Sequence, residues 1–320
     1  MSSALPDAPD SVWDDEGHAR FGTWGGELMS LSYEDWQGID RVKREKRWLW
    51  LGFFSEELAA AIAIVRTGYA ANVFVWVFDR KAGKFLEDVT RVLPGPAAVV
   101  ADIPADSGEI ARYRAVLEGF RVQRDGTKWR VFGRIADVRL DVELVEEADP
   151  VTAICPVGTG GPRSWVNVTR KQAVARTSGT VRAGTHNLSA NGHGFIDFSH
   201  GMLARETVWR WGIGSGSLAD GRRVGFTLVA DFNDSLENVL WIDGTPRAVG
   251  PVTFDTSAEA WAVTGDGLEL ELEREGTRSQ NLDLGLVVSE YVQPLGRWTG
   301  TIDGQAFEGV GVAEFHRSVW

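Results

Sequence analysis

The sequence is poor in cysteine and has no long apolar run. Its single cysteine, Cys155, excludes an intramolecular disulfide and any cysteine-rich metal site. An isolated cysteine is also more often a small buried hydrophobe than a nucleophile. No uninterrupted apolar stretch approaches the roughly 20 residues that a membrane-spanning helix needs. We therefore expect no integral membrane segment.

Positive charge is also scarce. Thirty-three lysines and arginines stand against forty-five aspartates and glutamates, which gives a net charge of -12. Such a charge repels nucleic-acid backbones and anionic membranes, so we expect no nucleic-acid partner. The first residues, MSSALPDAPDSVWDDEGHARF, are acidic and polar where a secretory signal is basic and then apolar. This composition predicts a flexible acidic segment over residues 1–20 and a cytoplasmic protein.

Motifs for metals and cofactors are missing as well. The five histidines form no His-Glu-x-x-His pair and have no cysteine partners, although HNLSANGHGFIDFSH gathers three of them. The glycine-rich GIGSG segment does not join a strand to a helix, as phosphate-binding loops do. No Gly-x-Ser-x-Gly nucleophile motif is present. We predict neither a metal nor a cofactor, and a strand-borne histidine and aspartate metal site is the less favoured alternative.

Tryptophan and glycine are abundant by contrast. Fourteen tryptophans stand beside four tyrosines, and each indole brings a large aromatic surface with one N–H that needs an acceptor. This count predicts broad aromatic surfaces in the cores or around a ligand. Thirty-seven glycines beside three methionines favour strands and turns over long helices.

Hydrophobic periodicity indicates short antiparallel strands. Apolar residues alternate along WRVFGRIADVRLDVEL, residues 129–144, which is typical of strands with one buried face. The phase changes between Ile135 and Val138, and we interpret this change as a β-bulge. Asp-Gly pairs, as in RDGTK and IDGTP, predict tight hairpins. One helix is predicted over residues 107–120, where apolar side chains follow helical spacing after a serine that could cap it.

Two long segments repeat the same order of residues. RWLW at residues 47–50 and VWRW at residues 208–211 each open a strand-rich segment. The first segment ends with Trp76 and Asp79, and the second ends with Trp241 and Asp243. Residues i and i+2 of a strand face the same side, so both tryptophans of each Trp-x-Trp pair point into one space. That space is either core or pocket.

A second pair of similar segments lies near the end of each half of the chain. GFIDFSH against GVAEFHR sets Asp197 beside Glu314 and His200 near His316. Both pairs of similar segments occur in the same order, which favours an internal duplication of the chain. We predict an all-β fold with little helix, built from two tandem antiparallel β-barrels or barrel-like sheets over residues 21–200 and 201–320. Strands could cross between the halves.

Several residues are candidates for a binding or catalytic site. Asp197 lies on a strand between Ile196 and Phe198, so it faces the side opposite to them, and its pKa should rise if that side is a closed cavity. Strand charges such as Arg170 and Arg205 more often belong to a solvated face or a buried ion pair, and the alternative is that they orient a ligand carboxylate. The candidate binding set is Trp48, Trp50, Trp209, Trp211, Trp241, Arg170 and Arg205.

Four segments in order resemble a known family. TRK, IDFSHGMLARETVWRWGIGSG, ENVLWIDG and GVGVAEFHRSVW are similar to the bacterial domain-of-unknown-function family twenty-eight-oh-four. That family is distantly similar to carotenoid hydratases (hydroxyneurosporene synthases) and tocopherol cyclases. The resemblance implies two tandem calycin- or lipocalin-like barrels with an apolar cavity. It also implies cofactor-free acid chemistry on isoprenoid-like substrates. The shared Asp-x-x-x-Gly and Trp-x-Trp pattern falls on Asp197, Gly201, Trp209 and Trp211.

Three functions are compatible with these features. In the first, a hydratase or lyase, isomerase or cyclase acts on a hydrophobic alkene-bearing molecule: Asp197 donates a proton, tryptophan faces stabilise the cation, and His200 or Glu206 holds the nucleophile. In the second, the same barrels bind a hydrophobic ligand without catalysis. In the third, a glycan-active enzyme uses two of four carboxylates, at Asp197, Glu206, Glu237 and Asp243.

Overall fold

The chain folds almost entirely into β-structure. The computed structural model describes residues 4–33, 36–104, 106–157, 165–283 and 288–320. The described residues contain one α-helix, α1 (Gly38–Arg44), and two short 3-10 helices, Gly95–Ala97 and Asn233–Ser235. No helix among them is long and apolar enough to span a membrane. The rest of the regular structure forms two curled antiparallel half-barrel sheets, which confirms the predicted fold class.

The first sheet takes in every strand up to Met202. Its strands are β1 (Gly22–Gly25), β2 (Glu45–Ser55), β3 (Leu58–Thr67), β4 (Ala70–Asp79), β5 (Lys84–Pro94), β6 (Ala98–Val100), β7 (Ser107–Arg114), β8 (Gly119–Asp125), β9 (Lys128–Ile135), β10 (Val138–Glu146), β11 (Val151–Pro156), β12 (Val166–Ala183), β13 (His186–Ser189) and β14 (Gly192–Met202). Their main path is β5-β4-β3-β2-β14-β12-β10-β9-β8-β7-β6. Off this path, β11 and β13 pair with β12, and β1 pairs with β11.

The second sheet begins at Glu206. Its strands are β15 (Glu206–Leu218), β16 (Arg223–Ala230), β17 (Val239–Ile242), β18 (Thr245–Ala248), β19 (Val252–Asp255), β20 (Trp261–Gly265), β21 (Leu268–Asp283), β22 (Val288–Ile302) and β23 (Gln305–Val319). They follow the order β18-β17-β16-β15-β23-β22-β21-β20-β19. The division of the chain into segments 1–20, 21–200 and 201–320 stays a prediction, and residues 1–3 lie outside the described residues.

Each sheet curls around its own apolar core, and the opposite faces of the two sheets pack on each other. Trp129 and Phe53 lie in the first core, and Trp298 and Phe226 lie in the second. A third apolar cluster joins the sheets through strands of both, with Trp50, Trp76, Trp211 and Trp241 among its members. The period-two alternation of strands such as β2 and β15 divides their side chains between an internal core and this shared layer.

Two local predictions were wrong. The phase change between Ile135 and Val138 is a hairpin turn between β9 and β10, with Ala136 at a positive φ of 46°, and not a bulge within one strand. The predicted helix over residues 107–120 is instead the β7–β8 hairpin. A register shift between Glu109 and Ala111 interrupts the alternation of β7, so its buried residues fall at spacings that resemble a helix.

Arg170 belongs to a buried ion network in the first half of the fold. Its Nε lies 2.6 Å from Glu27 Oε1, and its Nη2 lies 2.7 Å from Glu146 Oε1. Arg124 binds the other oxygen of Glu27 at 2.9 Å, and both guanidinium groups stack over Trp129 at 5.1 Å. The donors of Arg170 therefore face carboxylates inside the protein, as the buried ion pair predicts, and its role in ligand binding stays a prediction.

This network predicts a large loss of stability when Arg170 is replaced. Arg170→Met leaves Glu146 buried without its main cation, and removing one partner of a buried pair costs about 3–5 kcal/mol of the free energy of unfolding. Urea unfolding at neutral pH measures it. The matched control is Arg130→Met, whose pair with Asp141 is more than half exposed and should cost less than about 1 kcal/mol. Equal losses in the two variants would contradict a structural role for the network.

Candidate active site

The two Trp-x-Trp pairs meet where the sheets pack together. Trp48 and Trp50 project from β2, and Trp209 and Trp211 project from β15. The rings of Trp48 and Trp209 stack with centroids 6.1 Å apart and planes within 8° of parallel. Trp50 meets Trp211 edge to face at 5.3 Å. All four indoles line a cavity of about 380 Å³, so the pocket lies between the two sheets and not inside either barrel.

Cross-strand registers build the two walls of this cavity. On the first sheet, Trp48 pairs with Val65 of β3, which in turn pairs with Asn72 of β4. The next row of the same wall runs from Trp50 through Ala63 to Phe74. The second sheet supplies a row from Trp209 through His316 to Tyr291, and a pair of Trp211 with Glu314. Residues of both walls thus surround one mostly apolar space.

A buried ion cluster lies at one side of the cavity. Asp197 of β14 lines the cavity and stands opposite Trp50 on one side and Lys171 of β12 on the other. The ammonium Nζ of Lys171 lies 2.6 Å from Asp197 Oδ1 and 3.2 Å from Glu237 Oε2. Burial lowers the pKa of Lys171, but the two carboxylates more than offset this effect and raise it. Burial raises the pKa of Glu237. Lys171 therefore stays charged and pairs with Asp197.

Glu314 of β23 is the carboxyl group without a cation. Its Oε1 accepts a hydrogen bond from Trp209 Nε1 at 2.9 Å, and its Oε2 accepts one from Gln293 Nε2 at 2.9 Å. These donors favour the ionised form, but burial opposes them more strongly and raises the pKa of Glu314 to about 7, with the charge of Asp197 adding to the shift. Glu314 is therefore partly protonated at neutral pH and faces the cavity.

His316 lies two residues beyond Glu314 on the same face of β23. Its Nε2 lies 2.9 Å from Ser289 Oγ and 2.8 Å from Ser318 Oγ. Its ring meets Trp209 edge to face at 4.5 Å. Burial lowers its pKa to about 3, so the imidazole is neutral near pH 7. It shapes the cavity wall as a polar but uncharged ring.

Arg278 of β21 connects the two walls at the edge of the cavity. Its Nε donates to Asp88 Oδ1 of β5 at 2.9 Å, and its Nη2 donates to Thr90 Oγ1 at 3.0 Å. The guanidinium stacks over Phe74 at 4.3 Å and over Tyr291 at 5.1 Å. This cation is thus paired with a carboxylate of the opposite sheet.

Five predicted site residues lie outside the cavity. His200 is on the other face of β14 from Asp197, with Nε2 3.0 Å from Glu45 Oε1 and Nδ1 2.9 Å from the Asp102 carbonyl. Glu206 is exposed and pairs with Arg317 at 2.8 Å, and Arg205 is exposed and donates to the Trp320 carbonyl. Trp241 is buried in the shared layer, where its Nε1 donates to the Asp149 carbonyl at 2.8 Å. The fifth is Arg170, described above. The side chains of His200 and Glu206 do not line the cavity, and their catalytic roles stay predictions.

The oxygen and nitrogen atoms around His200 do not form a convincing metal centre. Glu45, Asp102 and His200 offer ligand atoms within 4.8 Å of one another. However, Glu45 already pairs with Arg41 at 2.9 Å and with Arg47 at 2.6 Å. Two guanidinium groups on the central carboxylate supply the positive charge that an added cation would bring.

Sequence reasoning did not include Lys171, Glu314 or Tyr291 among the candidate site residues. Lys171 follows Arg170, and adjacent residues of a strand face opposite sides, so only one of them could reach the cavity. Glu314 carried a detectable signal, because the repeat aligned it with Asp197. In the structure, the two acids hold equivalent places: Asp197 pairs with Trp50, and Glu314 pairs with Trp211.

Solved structures share this architecture at low sequence identity. A protein assigned as AttH from Nitrosomonas europaea superposes with a TM-score of 0.60 and 18% identity, covering 89% of this chain and 96% of that one. Kievitone hydratase from Nectria haematococca gives 0.55 and 12%, covering 98% of both chains. CghA with Sch210972 gives 0.57 and 8%, covering 97% of both. At these identities the likeness shows the fold alone.

No curated protein matches the sequence. The family described as Domain of unknown function (DUF2804) matches residues 6–320, which is almost the full length. The chain belongs to this family.

Proposed function

We propose that the protein is an acid–base enzyme of the hydratase or lyase type that acts on a hydrophobic, alkene-bearing, isoprenoid- or lipid-like small molecule without a cofactor. A cyclase or isomerase would use the same first step. The observation that carries this proposal is Glu314, a buried carboxyl group with a pKa of about 7 that faces a cavity walled by tryptophan. Such a group can supply a proton at neutral pH.

Glu314 is the proton donor in this mechanism. Its neutral form gives a proton to one carbon of the double bond, and the π electrons form the new C–H bond. Positive charge then develops on the other carbon. The roles of the two acids are thus the reverse of the sequence-based hypothesis, in which Asp197 was the donor, because Asp197 already pairs with the Lys171 ammonium.

The cavity suits the cation that forms. The indole faces of Trp48, Trp50, Trp209 and Trp211 surround it, and one such face contributes on the order of 0.5–2 kcal/mol to a nearby cation. The carboxylate left on Glu314 adds a negative charge in a space of low dielectric constant. Both effects are stronger for the cation than for the neutral alkene, which is the condition for catalysis.

Asp197 completes the reaction as the base. A water molecule attacks the cationic carbon, its oxygen forms the C–O bond, and one of its protons passes to the Asp197 carboxylate. The Lys171 ammonium donates a hydrogen bond to that carboxylate at 2.6 Å and orients it. Transfer of the proton from Asp197 back to Glu314 restores both groups. The net change is addition of one water to the double bond, and the reverse sequence is a dehydration.

Two further observations support this function over the alternatives. A carrier of apolar ligands has no need for an uncompensated carboxyl group in its pocket, because burying one costs stability. A glycan-active site needs paired acids in an open polar groove. Glu237 does share the Lys171 ammonium with Asp197, but both acids are buried and the cavity beside them is mostly apolar. Glu206 and Asp243 lie at exposed positions. The shared fold with kievitone hydratase is consistent with a hydratase-type enzyme.

The raised pKa of Glu314 predicts a specific pH dependence of stability. The folded protein binds this proton with a pKa of about 7, against 4.5 for an ordinary glutamate. Stabilisation by the bound proton is complete below about pH 4.5 and is lost as the pH rises through about 7, a change on the order of 3 kcal/mol. Urea unfolding across this range should show that Glu314→Gln abolishes the loss. Glu308→Gln changes an exposed residue of the same strand and should show the same loss as the wild type. Identical pH dependence of the unfolding free energy in the two variants would contradict a raised pKa for Glu314.

Turnover should depend on the same carboxyl group. Native mass spectrometry of protein purified from its own host identifies a bound alkene, and that compound is then incubated with the enzyme in D₂O. We expect product heavier by one D₂O, with deuterium on carbon, and a rate that falls as the pH rises past about 7. Glu314→Gln should lower the rate by at least about 10²-fold, while Glu308→Gln should match the wild type. Full activity of Glu314→Gln would exclude it as the donor.

Asp197 gives an independent prediction for the second step. Asparagine keeps the shape of aspartate but cannot accept the proton of water, so Asp197→Asn should lower kcat by about 10²–10⁴-fold with little change in KM. Circular dichroism checks that the fold is kept, and Asp125→Asn, at an exposed residue of β8, is the matched control. An unchanged kcat would remove Asp197 from the mechanism.

A further inference from the structure

A second, smaller chamber lies beside the apolar cavity. Its volume of about 40 Å³ gives room for about two or three water molecules. The side chains that line both spaces are Trp48, Asp197, Trp209, Trp211 and Glu314. The wall of the chamber is completed by Lys171, Val229, Phe232 and Glu237. Both acids of the proposed mechanism therefore face the chamber as well as the cavity.

Charged and polar groups form one side of the chamber. Lys171 Nζ lies 2.6 Å from Asp197 Oδ1 and 3.2 Å from Glu237 Oε2, so the ammonium bridges two carboxyl groups. Asn233 Nδ2 donates a hydrogen bond to Glu237 Oε1. A carboxylate oxygen accepts more than one hydrogen bond, so these contacts leave acceptor capacity for water. A buried water needs about two to four polar partners, and Asp197, Glu237 and Glu314 provide them.

An open groove adjoins the chamber at the connection between β16 and β17. The groove has a volume of about 640 Å³, and exposed residues such as Glu206 and Asp231 line it. It shares Val229 and Phe232 with the chamber. Phe232 is partly exposed, and its ring lies 5.5 Å from the ring of Trp209. Phe232 thus stands between the solvent-filled groove and the chamber.

The connection that carries Phe232 has an unusual backbone. Left-handed φ angles occur at three of its residues that are not glycine, namely Asp231, Asn233 and Ser235. Such strain persists where surrounding contacts hold it, and it is common at functional sites. The contacts here include the hydrogen bond from Asn233 to Glu237 and one of 2.6 Å from Val229 N to Asn238 Oδ1. The fixed connection places Phe232 and Glu237 in the wall of the chamber.

The apolar cavity opens at another place. Two of its lining residues are well exposed, Tyr69 at 41% and Val92 at 48%. They lie on the β3–β4 connection and on β5, in the first sheet. The groove is lined mainly by residues of β15, β16 and the connection that follows β16, in the second sheet. The cavity and the groove therefore meet solvent at different strands.

We propose that the chamber holds the reacting water, and that this water enters past Phe232 by a route separate from that of the hydrophobic substrate. This inference rests on the proposed function and adds the binding site of its second substrate. A hydrophobic ligand that fills the main cavity displaces water from it, because apolar walls offer water no hydrogen bonds. The reaction still consumes one water, which has to lie close to both acids. The polar chamber shares both acids with the cavity and has room for that water.

The same chamber gives the returning proton a path. After the attack, a proton of the water is on Asp197 and Glu314 is a carboxylate. A second water in the chamber accepts the proton of Asp197 and gives one of its own to Glu314. That water is unchanged, and both acids return to their starting states. The chamber thus serves both the attack and the recovery of the acid.

Crystal structures test the water site without any ligand. At about 1.5 Å resolution, we expect the wild type to show an ordered water within about 3.2 Å of a carboxylate oxygen of Asp197 or Glu237. Val229→Leu adds a methylene group to the chamber wall and should displace this water. Val239→Leu, the same change at a buried residue of the shared layer, should keep it. A wild-type chamber without water, or the same water in Val229→Leu, would overturn the proposal.

Exchange of the buried water tests the route. Phe232→Ala changes a partly exposed side chain and opens the chamber toward the groove. The chamber water should then exchange with bulk solvent at least about tenfold faster, as measured by oxygen-17 magnetic relaxation dispersion. Val92→Ala, at the mouth of the apolar cavity, is the matched control and should leave the exchange rate unchanged. Equal exchange rates in Phe232→Ala and the wild type would exclude entry past Phe232.

Turnover in D₂O separates the chamber from the acid. With the alkene identified by native mass spectrometry, Val229→Leu should add water at least about tenfold more slowly, while reversible protonation by Glu314 still brings deuterium into the recovered alkene. Val239→Leu should match the wild type in both rates. Addition of water at the wild-type rate by Val229→Leu would contradict the proposal. A wild type that neither adds water nor exchanges deuterium would instead overturn the proposed function, and the crystal structures decide independently whether the chamber binds water.

Discussion

The burial of ionisable groups between the two sheets is the constraint on which the site depends. A charge removed from water has to be paired, hydrogen-bonded or neutralised by a proton. On the side of the first sheet, Lys171 pairs with Asp197 and Glu237. On the side of the second sheet, Glu314 has only neutral donors, so burial raises its pKa instead. One packing interface thus holds a carboxyl group paired with a cation and a carboxyl group of raised pKa at the same cavity.

The repeated framework places two different acids at one interface. Asp197 and Glu314 occupy matching places opposite the second tryptophan of each Trp-x-Trp pair. Their neighbours differ, because the strand next to Asp197 brings Lys171, whereas β22 brings Gln293 to Glu314. A neighbouring ammonium group stabilises the ionised form of a buried carboxyl group, whereas a neutral amide cannot balance its charge. One changed neighbour in a repeated framework is therefore enough to give the two acids different surroundings.

The sequence predicted the β-fold, the repeat and the common direction of each tryptophan pair, because these depend on alternation within single strands. It could not place the cavity between the sheets, since that depends on which face of each sheet finds a partner far along the chain. Errors about which face of a strand a residue occupies had the same origin. The repeat set His200 near His316, but His316 pairs with Trp209 while Ser199 pairs with Trp48, so His200 is one residue out of phase and faces away. The same parity separates Arg170 from Lys171.

Gln293 of the second sheet helps to orient the carboxyl group of Glu314. The indole of Trp76, from the first sheet, donates to Gln293 Oε1 at 3.2 Å. An indole N–H can only donate, so this contact fixes the amide oxygen on that side and turns the NH₂ group toward Glu314. Two neutral donors, from Gln293 and Trp209, then hold the acid in one orientation while leaving it uncompensated by any cation. The orientation and the protonation of Glu314 therefore have different causes. Hydrogen bonds fix the orientation of its carboxyl group, and burial raises its pKa so that it holds a proton near neutral pH.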